Sequence, residues 1–156
     1  MMSALLLAFG IGVVAGLRSM TAPAVVAWGA RLGWLKLAGT SLAFMSSPWV
    51  VGFLTLGALG EFVADLLPKT PARTAPGPLI ARIVMGGLTG ACLTLAGGSS
   101  AVIGAILGAI GAVVGAYAGY HARAGLVGAL RAPDLAIAIP EDLVAIGLGL
   151  LLISRF

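Results

Sequence analysis

Residues 48–67 read PWVVGFLTLGALGEFVADLL. A nearly continuous apolar run of this length crosses a hydrocarbon core of about 30 Å at 1.5 Å per residue, so the stretch reads as a membrane-spanning helix. Two carboxylates, Glu61 and Asp65, lie near its end. Four residues apart, they share one helix face. A carboxylate at that depth is costly unless it is paired, protonated or wetted, which makes an intramembrane acidic pair a candidate functional site. Lys69 follows closely and opens a basic, proline-rich loop.

The rest of the chain agrees with that reading. Its 156 residues are 60% hydrophobic and 9% charged, with a mean hydropathy of +1.14, whereas water-soluble domains carry about 25% charged residues. The expected class is an all-α polytopic membrane protein forming a single domain over 1–156. Nine Lys and Arg against five acids give a net charge of +4. They are spread one or two per loop, which suits cytoplasmic loops and is too thin for a nucleic-acid surface. Cys92 is the single cysteine, so disulfide frameworks and thiol metal clusters are excluded, and a packing role is expected. The apolar amino terminus up to Leu17 lacks a basic leader region and a cleavage site, and is expected to be retained as the first span.

Five spans are clear: Ser3 to Leu17, Pro48 to Leu67, Leu79 to Ala96, Ala101 to Tyr120, and Leu143 to Ile153. Ser47 and Pro48 read as N-cap and first helical residue, while Pro140, Glu141 and Asp142 read as the opening turn of the last helix. Residues 21–35 are ambiguous: a short sixth helix, a re-entrant segment or an interfacial helix. The basic residues favour six spans. Arg18, Lys69, Arg73, Arg82, Arg123 and Arg131 then share one face and Arg31, Lys36 and Arg155 the other. The richer face is expected to be cytoplasmic, with both termini outside, in a bacterial inner membrane. Six spans divide into halves 1–68 and 79–156 joined by a proline-rich loop, the plan of an inverted 3+3 repeat.

Glycine falls at helical spacing. Gly104, Gly108, Gly111, Gly115 and Gly119 form a bare stripe, and Gly12/Gly16 and Gly86/Gly90 repeat the GxxxG step. The stripe suits close packing within the chain; the alternative is a homodimer interface. In a six-span arrangement Arg18, Glu61, Asp65, Arg82, His121, Arg123, Glu141 and Asp142 all approach one membrane face. Glu61 and Asp65 are the candidate ion-binding or proton-coupling pair, and the others are candidate anion or ion-pair partners. His121 also reads as an interfacial side chain at a helix end. Metal binding is the weaker option, because no CxxC, HExxH or DxD spacing is present. GGSS at 97–100 is a turn and not a phosphate loop. No cofactor is expected, and Trp28, Trp34, Trp49, Tyr117 and Tyr120 suit interface anchors.

Several short motifs occur in order: GLRSMTAP at 16–23, ExxxDxxP at 61–68, the Arg82 to Gly90 stretch opening a Gly-rich span, His121 with Arg131 downstream, and PED at 140–142. Together they resemble an uncharacterised bacterial family of small multi-pass membrane proteins, a domain of unknown function. The resemblance implies a helical membrane fold and no settled activity.

Three functions remain open, each with a structural consequence. A transporter or channel for an ion or small solute needs water access to Glu61. A lipid-headgroup binding protein or lipid-modifying enzyme needs an elongated groove beside the charges, although no catalytic spacing is recognisable. A structural assembly protein needs a dry, fully paired cluster.

Overall fold

The computed structural model describes residues 3–67 and 69–156, so Pro68, the last residue of the 61–68 motif, lies outside the described residues. Six helices follow in order: α1 (Ala4–Leu17), α2 (Thr21–Arg31), α3 (Pro48–Asp65), α4 (Pro76–Ala96), α5 (Ala101–Leu130) and α6 (Asp134–Ile153). No strand occurs among the described residues. Four of the six, α3 to α6, are long and apolar enough to cross a membrane. The chain is a polytopic helical membrane protein.

The helix α2 settles the ambiguous segment. Nine of its 11 residues are buried, and a helix buried nearly all round belongs to a core and not to an interface. Gly149 of α6 lies against Val25, and Gly29 lies against Ile153. So α2 runs beside the last turns of α6 and ends level with that helix's C-terminus. At about 16 Å it is too short to span by itself. Residues 32–47, including a 3-10 turn at Ala43–Ser46, complete the wall and bury Leu35, Leu37 and Met45.

The packing centre is the triple contact of α1, α4 and α5. A Cβ built on Gly12 or Gly86 would overlap the carbonyl of Gly108, and one on Gly90 would overlap that of Gly104. Backbones this close gain dispersion and Cα–H···O contacts that no larger side chain permits, which is the usual solution where lipid removes the hydrophobic driving force between helices. Gly111 and Gly115 face the Phe9 and Val13 carbonyls of α1. The stripe is therefore covered within the chain by α1 and α4, and a second copy would have to dock elsewhere. Cys92 is buried in this same region.

Two boundaries differ from the sequence reading by more than a turn. The fourth clear span does not stop at Tyr120: α5 continues to Leu130. His121 and Arg123 suggested an end, yet the segment holds no proline, and Arg123 finds acidic partners in Asp134, Glu141 and Asp65. The stop comes at Arg131, with φ of 48°, just ahead of Pro133, which disfavours helix in the residue before it. Nor do Pro140, Glu141 and Asp142 open the last helix. That turn is made by Pro133 and Asp134, and Pro140 is internal to α6. Lacking an N–H, it leaves the Ala136 carbonyl without its helical donor.

Candidate functional site

All five acidic residues of the protein, Glu61, Asp65, Asp134, Glu141 and Asp142, join four arginines at one end of the bundle. Arg18, from the end of α1, is fully buried and ion-paired with both Asp65 and Asp142. Its guanidinium also lies 5.7 Å from the centre of the Phe62 ring, within cation–π range. Arg123 on α5 is the hub. It grips Asp134 through two hydrogen bonds of 2.9 and 2.6 Å and reaches Glu141 at 3.4 Å and Asp65 at 3.7 Å. Arg73 makes a forked contact with Glu141, the longer arm being 3.1 Å. Adjacent on α6, Glu141 and Asp142 thus face different arginines.

Glu61 has a separate task. Its carboxylate accepts the Ser19 amide at 2.9 Å, the Ser19 hydroxyl at 2.8 Å and the Met20 amide at 2.8 Å. These donors open α2, so Glu61 from α3 caps a neighbouring helix whose N-terminal dipole favours an anion. Arg82 stands behind it, with Nη2 at 3.7 Å from Glu61. Its Nε donates to the Gly16 carbonyl and Nη1 to the Pro78 carbonyl, each at 3.1 Å. The spacing of Glu61 and Asp65 therefore serves two different partners, one capping and one pairing.

Helix lengths place this network in depth. Arg82 is six residues into α4, Glu141 seven into α6 and Arg123 seven from the end of α5, so each lies about 10 Å inside its helix end at 1.5 Å per residue. From the other side, Ala4 to Arg18, Pro48 to Glu61 and Ala96 back to Arg82 all measure about 20 Å by the same rise. The two distances make up a hydrocarbon thickness. The first helix can be short because it ends in a polar layer inside the membrane.

An open vestibule of about 600 Å³ descends to this layer. Its charged lining comprises Glu61, Asp65 and Asp134 with Arg73, Arg82 and Arg123, and Ser19, Thr70 and Tyr120 add polar groups. Asp134 is the most accessible acid, its side chain 63% exposed, against 12% for Glu61 and 14% for Asp65. The network is thus neither dry nor freely solvated.

Arg18, Glu61, Asp65, Arg82, Arg123, Glu141 and Asp142 come together. His121 does not: it is exposed and packs edge-on against Tyr120, ring centres 5.4 Å apart. Of the glycine stripe, Gly104, Gly108, Gly111 and Gly115 serve helix packing, while Gly119 sits against Arg73 and Leu17. Arg73 and Asp134 were not singled out by sequence. Arg73 is buried though it lies between prolines in a loop, and the only available signal was that Asp134 follows Pro133 as a helix opener. Among the described residues no three His, Cys, Asp or Glu converge as a metal site; the arginines are interleaved between the acids.

No curated protein and no solved structure matches the chain. A family model described as Domain of unknown function (DUF4126) matches residues 5–154, which takes in every member of the charged network and all six helices but the first residue of α1. The chain belongs to that family of unknown function.

Proposed function

We propose that this protein moves a small ion or solute across a membrane, with the Glu61 and Asp65 carboxylates as the coupling or coordinating groups. The observation that carries the reading is the vestibule: it opens at one end of the bundle and is lined by both Glu61 and Asp65, and ionisable groups at intramembrane depth mark ion and proton pathways. Beyond the acids, α1, α4 and α5 meet backbone to backbone, so access is one-sided, as alternating access requires of any single state. Four guanidiniums against five carboxylates leave one negative charge, which one proton or one monovalent cation neutralises. A purely structural network has no need of an open cavity of this size against it.

The proposal places the vestibule on the cytoplasmic side of a bacterial inner membrane, where the six basic residues of that face belong by the positive-inside rule. It requires neither a homodimer nor an inverted repeat. A repeat would pair the 11-residue α2 with the 30-residue α5, and the glycine stripe is already occupied within the chain.

The test is flux in proteoliposomes loaded with pH and ion indicators. Glu61→Gln and Asp65→Asn are each expected to lower a wild-type flux by at least about tenfold, equivalent to about 1.4 kcal/mol, with folding retained. Wild-type flux in both variants would remove the reading. Accessibility gives a second prediction. With buried Cys92 replaced by alanine, Ala64→Cys, which lines the vestibule, is expected to react with a membrane-impermeant thiol reagent from one side only. Equal labelling from both sides, or none, would mean that the vestibule is not one-sided.

A further inference from the structure

The helices α5 and α6 are consecutive yet touch little, and an apolar groove of about 380 Å³ runs between them. Leu126, Leu130, Ile137 and Val144 line it together with Arg123 and Glu141. Arg123 also lines the vestibule, so the apolar groove and the polar cavity adjoin at one guanidinium. The groove straddles the charged network: Leu126, Leu130 and Ile137 lie within about 10 Å of the helix ends on its outer side, and Val144 lies about one turn deeper than Glu141. A lateral opening at that depth meets acyl chains and headgroups.

We infer that the groove holds one acyl chain of a membrane phospholipid whose zwitterionic headgroup, bearing a primary ammonium, enters the vestibule. Charge complementarity selects this occupant. The vestibule lining carries three arginines and three carboxylates, so it has no net charge to favour an anionic lipid but offers separate sites for a phosphate and an ammonium. Arg82 supplies the phosphate site. Two of its nitrogens are engaged by backbone carbonyls, while Nη2 has only Glu61 at 3.7 Å and keeps donors free. Asp65 and Asp134 supply acceptors for the ammonium. A primary ammonium has three N–H donors for them, and a quaternary one has none.

The lipid site shares the vestibule and Asp65 with the transport reading, but lipid retention and flux are measured separately, so either can fail without the other. The experiment is native mass spectrometry of delipidated full-length protein titrated with phosphatidylethanolamine, phosphatidylglycerol and phosphatidylcholine of identical chains. Phosphatidylethanolamine is expected to bind about tenfold more tightly than the other two, the contribution of one charge-assisted hydrogen bond. Ala122→Phe and Ala136→Phe, which fill the groove from α5 and α6 respectively, are expected to abolish retention without changing the melting of the lipid-free protein. Asp134→Asn is expected to reduce the preference, whereas Arg82→Gln is expected to weaken all three lipids alike, because they share the phosphate. Equal binding of the three lipids, preference for phosphatidylglycerol, no retention, or undiminished retention in both groove variants would overturn the inference. So would free phosphoethanolamine binding as tightly as the lipid, because the groove would then contribute nothing.

Discussion

Arg18→Met is expected to destabilise the folded protein by about 3–5 kcal/mol, the range found when one partner of a buried ion pair is removed. The side chain has no exposed surface and faces Asp65 from α3 and Asp142 from α6. Methionine fills much of the volume, so the cost is not a cavity. It comes from two carboxylates left without their common cation, in a layer where water is limited to the vestibule. Arg31→Met is the control: Arg31 is exposed, with a single 3.5 Å contact to the Ser46 carbonyl, and should change stability by less than about 0.5 kcal/mol. Unfolding in mixed micelles measures both. Adding Asp65→Leu and Asp142→Leu to Arg18→Met should recover much of the loss, because an apolar replacement of a whole ionic group is often neutral or better. A loss below about 1 kcal/mol for Arg18→Met alone would mean that Arg123 and the vestibule water already compensate both acids.

The fold was largely legible because bilayer constraints act on composition. A run such as 48–67 has few alternatives to a spanning helix, and Ser47 with Pro48 marked its start. The convergence of Arg18, Glu61, Asp65, Arg82 and Arg123 followed from counting spans, since each crossing reverses the face. What sequence did not carry was geometry within the polar layer. The capping of α2 by Glu61 depends on α3 lying antiparallel beside it, a tertiary fact with no local signature. Arg73 is inside a proline-rich loop, and loop paths are not periodic. The extent of α5 was hidden by Arg123. A charged residue normally marks the membrane edge, and here it is retained inside because Asp134 and Glu141 meet it from α6. The expected start of α6 was displaced by PED at 140–142, which resembles an opening turn although Pro133 and Asp134 make it.

Gly108→Ala is expected to cost about 1–3 kcal/mol and Gly108→Leu more, as overpacking of a well-filled contact does. A Cβ at this position would overlap the Gly86 carbonyl and lie 3.1 Å from the Gly90 Cα, and backbone cannot rotate away as a side chain can. The helices α4 and α5 must separate instead. Alanine is otherwise a better helix former than glycine by about 1 kcal/mol, so the intrinsic effect has the opposite sign, and the outcome measures the contact. Gly52→Ala and Gly60→Ala in α3, where a Cβ meets nothing within 4 Å, isolate that intrinsic gain and should raise the melting temperature slightly. The separation also has a consequence at the charged layer. Gly16, one turn beyond Gly12 on α1, packs against Ala112 and Gly115 of α5 and offers its carbonyl to Arg82 of α4 at 3.1 Å. Spreading the three helices pulls that carbonyl from the guanidinium and leaves Arg82 to compete for Glu61. A Gly108 variant should therefore lose flux more than stability alone explains, whereas Gly52→Ala should leave flux unchanged. Equal flux per folded molecule in both would show that the glycine contact and the charged layer are uncoupled.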